Sequence, residues 1–508
     1  MIDVSPDWKE IQQRFLLPES HIEIDCTITE AGIQDELTIE GTNEALISNT
    51  ITTKYDTTKT NKYATNELNL WALDGSRIIA PDTAPFAESG YISENSTGSI
   101  TVSLPEVHAS ATSGVTITWG GRYDEYPTSF EIIAKNGGAV VSSMTVEGNT
   151  SQVSAVFSKI ENYDSITINV LDWCLPYRRV RIEKFIIGHT MTFSKSDIFS
   201  YTHEQTGHLN SGELPKNSIE FTLNNTDGRW NPNNPTGLEQ YLSERQKIKV
   251  RYGLDVNGTV EWIKAGTFYL SEWRVPANGL EANFVARDIF EYLLNETYNK
   301  PREGTLYQLV ENAFDSAGVP DDFVYKIDNS LNGYSATLPE GELTCAVVIQ
   351  MCANAACCVV YQDRDGVLHI KPQNKEPTGY IIPLALSYAH PEIELSKPLK
   401  NVSVAYGAES SHVLTVGNAG ETQTVSNSLV GSEGQATEIA TWVKSTLATR
   451  KTVSGEYRAD PRLDVFDVVS VQSEKYGELP NVAITDIKYT FNGAFRGSYK
   501  GRVLEVSS

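Results

Sequence analysis

The sequence predicts a mainly β, multidomain chain, β-rich α+β in class: two β-domains flank a small helix-and-hairpin domain, and a β-sandwich is inserted into the first. Three observations predict this. Apolar residues alternate with period two along most of both ends of the chain. Helical spacing is confined to a few short stretches. The segment from about 70 to 188 changes character, and the earlier pattern of long strands with large aromatic residues resumes after it. At roughly 100–200 residues per domain, a chain of 508 residues holds three to five domains.

The chain opens on a helix that Ser5 caps and Pro6 starts, with Trp8, Ile11, Phe15 and Leu16 on one face. Residues 21–29 then alternate Ile22, Ile24, Cys26 and Ile28 against polar neighbours, a half-buried strand. Short strands near 36–40 and 46–53 follow, and the polar stretch 54–69 has a linker's composition. Between 70 and 188, short strands recur with Gly, Asn, Ser and Pro between them, the spacing of a sandwich. Strands at 218–225, 246–253, 258–273 and 280–288 complete the first β-domain as a barrel or sandwich. A helix over 305–318 puts Leu306, Leu309, Val310, Ala313, Phe314 and Ala317 on one stripe and stops at Gly318. A second over about 343–356 leads into a hairpin that turns at Asp365-Gly366. Strands at 401–407, 463–472, 482–492 and 501–508 and a helix at 433–449 fill the second β-domain. The implied division is 1–58 for the helix and first strands of the first β-domain and 59–188 for the inserted sandwich. Residues 189–300 form the remainder of the first β-domain, 301–385 the middle domain and 386–508 the second β-domain.

Composition removes several classes of function. A net charge of −24 argues against a nucleic-acid-binding surface and against attachment to an anionic membrane. The six cysteines are too few for a disulfide framework, and Cys345, Cys352, Cys357 and Cys358 crowd one apolar segment. They read as buried small hydrophobes: no Cys-x-x-Cys is present to suggest a metal site. The uncharged run 343–362 nears membrane-spanning length, but polar residues interrupt it and it passes into a strand and turn, so no membrane insertion is expected. The N-terminus has no basic region or long apolar core of a secretory signal.

Motifs of catalysis are missing. In HEQTGH, His203 and His208 lie five apart, off a shared helical face, so a strand-end loop with solvated histidines is expected rather than a zinc protease. Asp363 and Asp365 before Gly366 lack the rest of a calcium loop. No phosphate loop, nucleophile elbow or dinucleotide fingerprint occurs. We expect no catalytic, cofactor-binding or metal-binding residues. Binding chemistry, if any, sits in the sandwich, where Tyr123, Asp124, Tyr126, Trp173 and Tyr177 combine aromatic faces with a hydroxyl-holding carboxylate, as glycan sites do. Against this, Trp119 and Trp173 also suit a sandwich core.

Between 218 and 253 stand Asn225, Gly228, Trp230, Asn231 and Pro232, then Tyr241 and Leu242, then Val250, Tyr252 and Gly253. With these residues in this order the sequence resembles the tail-tip or baseplate hub proteins of phages and prophages of Gram-positive bacteria. The resemblance continues through Gly266–Tyr269 and Ala286-Arg287-Asp288, and in the C-terminal part through Asp460-Pro461, Leu463 to Val469 and Phe495-Arg496-Gly497. It covers about 20–58 and 189–508, and the segment from 70 to 188 looks instead like a carbohydrate-binding jelly roll. The resemblance implies two tail-tube-like barrels per chain and a homotrimer whose six barrels form a ring. Such a ring joins a hexameric tail tube, or a distal tail ring protein, to a central three-fold spike or fibre. It also implies a place at the tail tip or baseplate of a virion assembled in the bacterial host cytoplasm, or in a related contractile injection particle. The inserted module would contact host cell-wall glycan. An acidic channel wall would let DNA pass without retaining it. The competing readings are a distal tail ring protein with a carbohydrate module, a tail-associated wall hydrolase and a free glycan-binding protein.

Overall fold

The computed structural model describes residues 1–14, 16–28, 37–41, 98–109, 112–119, 125–174, 182–234, 237–239, 242, 244–276, 279–320, 323–475 and 477–504. The chain is mainly β with several sheets and divides into two compact units. One comprises Met1–Cys26, Thr192–Asn234 and Lys247–Ser508, the other Thr27–Met191 and Pro235–Gln246.

The first unit is built on one 13-stranded sheet. Its path runs His189–Ser194, Ser20–Ile28, Lys247–Val256, Thr259–Arg274, Glu281–Arg287, Lys216–Asn224 and Ile198–Thr206. It then continues directly into Gly477–Phe491, Phe495–Val503, Lys451–Tyr457 and Glu392–Leu395, with Val468–Ser473 and Pro377–Ile382 branching from Gly477–Phe491. Two separate closed barrels are therefore not what these residues build. Strands of both expected β-domains share one sheet, and its path does not return on itself among the described residues. The physical reason is edge pairing: an unpaired strand edge is a row of unsatisfied N–H and C=O groups, and here each half covers the other's edge.

The helices follow their caps. Ser5 accepts from the Trp8 N–H at the head of Pro6–Gln13, and Trp8 and Ile11 are buried as expected. Leu16 is 79% exposed because the helix has ended: Arg14 is already extended, which takes Leu16 off the helical face. Phe15 lies outside the described residues. Thr305 and Gln308 form a reciprocal capping box at Leu306–Ala317, and Gly318 closes it at φ +58. Thr344 caps Cys345–Ala355, whose chain passes into the strand Val359–Gln362, and no described helix is long and apolar enough to cross a membrane.

Two segments belong elsewhere than the sequence indicates. Asn401–Tyr406, His412–Gly417 and Thr422–Ser426 form their own three-stranded sheet. The buried Val402 and Val404, together with Ala436, Ile439 and Val443 of the helix Glu433–Thr446, join the core of the middle region rather than that of the large sheet. The strand Thr38–Gly41 pairs with Gly98–His108 in the second unit, not with the strand that precedes it in sequence. The expected strand at 46–53 and linker at 54–69 lie outside the described residues.

The described residues of the second unit form two antiparallel sheets. One has the order Thr38–Gly41, Gly98–His108, Tyr163–Trp173, Pro127–Asn136, Ala139–Glu147; the other is Val153–Ile160, Thr112–Trp119, Ile182–Ile187. Both contribute to a single apolar core. Period-two alternation accounts for it: Phe130, Ile132 and Ala134 point inward while their neighbours do not.

Candidate functional site: the seam between the two β regions

The strands Ile198–Thr206 and Gly477–Phe491 meet antiparallel, with Tyr201 opposite Phe491, His203 opposite Tyr489 and Thr206 opposite Asp486. On the buried face of this seam the side chains form a polar and aromatic cluster. His203 is fully buried, not the solvated loop residue its motif suggests, because the strand continues through it to Thr206. Its Nε2 lies 2.8 Å from Asn217 Oδ1 and its Nδ1 2.8 Å from the Tyr252 hydroxyl. The amide oxygen only accepts, so Nε2 carries the proton, Tyr252 donates to Nδ1, and Tyr201 donates to Tyr252 at 2.8 Å. Burial pushes the His203 pKa down to about 3, and the nearby Arg364 guanidinium adds to this, so the ring is neutral.

Arg364 reaches this cluster from the hairpin turn of the middle region. Asp363 Oδ1 accepts the N–H groups of Asp365 and Val367, and Gly366 takes φ +85, the hairpin the Asp-Gly pair predicts. Arg364 itself is buried, donates to the carbonyls of Pro461 and Leu463, and lies 3.4 Å from the Asp464 carboxylate. Its guanidinium sits 6.0 Å from the Tyr252 ring and 5.9 Å from that of Tyr489. Burial works against the charge, but Asp464 and the tyrosine hydroxyls outweigh it, and the pKa stands above the ordinary arginine value. One side chain from the middle region thus touches both β regions.

The segment after Tyr457 completes the seam. Asp460 holds Arg462 through both carboxylate oxygens, at 2.9 Å and 3.1 Å to Nε, and the Tyr489 hydroxyl donates to the Leu463 carbonyl at 2.7 Å. Residues 463–467 are therefore a packed turn, and the strand expected over 463–472 begins only at Val468. The N-terminal arm is fastened to the same segment. Ile2 N–H donates to Arg462, Gln12 Nε2 to Ala459 and Arg458 to the Gln12 carbonyl, while the terminal amine pairs with Asp467.

Several residues of the family-like motifs acquire roles here. Asn225 accepts the Trp230 N–H and donates to the Gly279 carbonyl, both at 2.9 Å, Gly228 takes φ +71, and Trp230 is buried 5.1 Å from the Phe284 ring. Phe495-Arg496-Gly497 is the start of the last strand rather than a turn before it, and at Gly497 a Cβ would sit 2.9 Å from the Tyr457 ring and 3.0 Å from Ala459 Cβ, so that position needs glycine. Tyr241 lies outside the described residues.

The opposite face of the sheet is polar across the same seam. A groove of about 580 Å³ is lined by Glu204, Asp486, Lys488, Lys500, Glu456 and Glu392 among others, and a second of about 380 Å³ by Thr202, Glu220, Thr222, Glu272, Arg274 and Asn283. Glu204 accepts from Lys216 at 2.7 Å and Lys488 at 2.8 Å, and these bonds hold its pKa down at about 2. Acids outnumber bases among these lining residues, so the face is mixed in charge and acidic on balance.

In the sandwich, Tyr126 is half-buried; its carbonyl accepts the Cys174 N–H and its own N–H donates to the Cys174 Sγ. Trp173 is a core residue, 4% exposed, with its ring 6.1 Å from Trp119. Its Nε1 donates to Glu125, a buried carboxylate that sequence reasoning passed over because nothing local distinguishes it. Tyr123, Asp124 and Tyr177 lie outside the described residues. The cysteines are all free, and burial raises the thiols of Cys345 to about 11 and of Cys357 and Cys358 to about 12. Among the described residues no group of His, Cys, Asp or Glu is placed to hold a metal ion.

No known protein-family profile matches the chain, and no curated protein matches it. Among solved structures, the chain is similar to the 43 kDa tail protein of prophage MuSo2 from Shewanella oneidensis, at 12% identity and TM-score 0.42, over 63% of this chain and 95% of that one. A tail protein from Neisseria meningitidis aligns at 12% identity and TM-score 0.42, over 62% and 93%. The prophage tail protein gp18 from Listeria monocytogenes aligns at 14% identity and TM-score 0.41, over 62% and 92%.

Proposed function

We propose that the chain is a structural hub of a phage tail tip or baseplate, or of a related contractile injection particle. It acts as a homotrimeric ring between a hexameric tail tube, or distal tail ring protein, and a central three-fold spike or fibre. The observation that carries this reading is the seam. Two β regions far apart in sequence are paired edge to edge in one sheet and tied by Arg364 from the helical region between them. A chain that presents two side-by-side wall segments fills two adjoining positions of a ring, so three copies supply six.

The same cluster supports a role without catalysis. His203 has both nitrogens occupied, Asp460 is held by Arg462, and Arg364 is spent on carbonyls and Asp464, which leaves them packing roles. The mixed-charge face of the sheet suits the channel wall. Read so, the wall is acidic on balance, with Lys488, Lys500 and Arg274 interspersed among its acids. We place the particle's assembly in the host cytoplasm and the mature protein at the virion tail tip. Contact of the 59–188 segment with host-wall glycan rests on Tyr126, with Tyr123, Asp124 and Tyr177 as further candidates from the sequence, since the Trp173 ring is enclosed in the core.

Mass photometry with negative-stain imaging of the purified chain tests the reading. Three copies in a ring with a central hole are expected. A monomer at micromolar concentration overturns it, a hexamer points to the distal tail ring, and lysis of cell walls in a turbidity assay points to a hydrolase. A glycan array with the full chain reads the sugar contact separately.

A further inference from the structure

Where the large sheet hands over to the helical region, the strand Glu281–Arg287 ends and the short helix Phe290–Asn295 begins. Asp288 sits between them, 1% exposed. Its N–H donates to the Asn217 carbonyl at 3.1 Å and its Oδ1 accepts from the Phe290 N–H at 3.1 Å, but its Oδ2 is buried with no hydrogen-bond partner. An ionised carboxylate with one bare oxygen in such a place is costly, whereas a protonated carboxyl is not. The charged and titratable groups around it come from each neighbouring element. Arg287 is at the strand end, and Glu291 in the helix is itself buried and 3.6 Å from the Arg287 guanidinium. The neutral ring of His203 stands behind Asn217. The strand Val359–Gln362 brings only an amide, Gln362 Oε1, which accepts the Ile289 N–H at 2.9 Å. Arg287 is shared between Glu291 and Asp288, and its charge, with the Phe290 and Asn217 hydrogen bonds, only partly offsets the cost of burial at Asp288.

We propose that Asp288 is a proton switch built into this junction: neutral, it seats the helix Phe290–Asn295 in the core of the middle region, and ionised, it loosens that seat. Burial raises its pKa to about 7 against the hydrogen bonds of Phe290 and Asn217 and the charge of Arg287, with the Glu291 charge a smaller addition to the rise. Folding therefore takes up a proton over the range from the ordinary carboxylate value to about 7. The sign follows: stability of the seat is full at acid pH, falls as pH rises through this range, and is lowest above neutrality. The helix carries Phe290, Tyr292 and Leu293 into the same core as Leu306, Leu309 and Cys345, so loosening it frees the β region from the helical region locally.

Hydrogen–deuterium exchange of the full chain at pH 5.5 and 8.5, corrected for the intrinsic rate, reads this on peptides covering 286–296. The expected result is opening about tenfold or more greater at pH 8.5 in the natural chain, with no such change in Asp288→Asn, whose amide keeps the bond to Phe290. Equal protection at both pH values in the natural chain, or a persisting difference in Asp288→Asn, overturns the proposal. Glu291→Gln gives a second reading, because removing the neighbouring charge should move the midpoint to lower pH, and an unmoved midpoint counts against the switch.

Discussion

Arg364 is the residue on which the seam most depends, because its charge is buried and all its partners are fixed. Removing one member of a buried ion pair leaves the other uncompensated and costs about 3–5 kcal/mol. Arg364→Ala leaves two carbonyls without their donor and Asp464 without the charge that faces it, so a loss of about 3 kcal/mol in urea unfolding is expected, with Arg364→Lys recovering only part because one ammonium cannot match the planar fork. His203 gives a pH dependence of opposite sign to that of Asp288. Its folded pKa of about 3 lies below the unfolded value of 6.5. Its contribution is therefore complete above 6.5 and is lost as pH falls toward 3, by about 1.4 kcal/mol per pH unit. His203→Gln cannot titrate, so the stability gap between it and the natural chain should narrow from pH 7 to pH 4.5. A constant gap would mean the ring is not held neutral by burial.

At the scale of elements, strand pairing sets the geometry and single glycines permit it. Gly497 lies opposite Tyr489 on one side and Tyr457 on the other, at the point where two strands of the second β region bring their aromatic rings together. Gly497→Val has to displace the Tyr457 ring and Ala459, and overpacking of this kind costs about 1–3 kcal/mol. Thermal unfolding should show the loss, while Gly333→Ala, with open space around it and no left-handed backbone, should perturb the fold far less. The position after the last strand shows the same logic from the other side: alternation alone extends that strand through 501–508, whereas it spans Phe495–Val503. Residues 505–508 lie outside the described residues.

For the whole molecule, the seam implies cooperativity. Two β regions that share a sheet, a buried Arg and the N-terminal arm should melt together, and the sandwich unit has a separate core. Differential scanning calorimetry should therefore resolve two transitions, not one for each of the five segments that sequence patterns delimit. Three or more transitions would show that the seam does not couple its halves. The trimer proposed for the ring adds a concentration dependence to the transition of the first unit, since association stabilises the folded form by mass action.

The sequence by itself determined what depends on near neighbours. Alternation marks Ser20–Ile28 and Pro127–Asn136 as strands, the stripe from Leu306 to Ala317 with Gly318 after it marks a helix, Asp365-Gly366 marks the hairpin, and the apolar setting of Cys345 and Cys352 marks them as core. These signals are legible because a cap, a turn or a periodic stripe acts over a few residues. Tertiary structure alone decided which strands share a sheet, that His203 is enclosed, that Glu125 answers Trp173, and that Arg364 holds both β regions. Pairing and desolvation are supplied by partners tens to hundreds of residues away along the chain, and no local pattern encodes who those partners are.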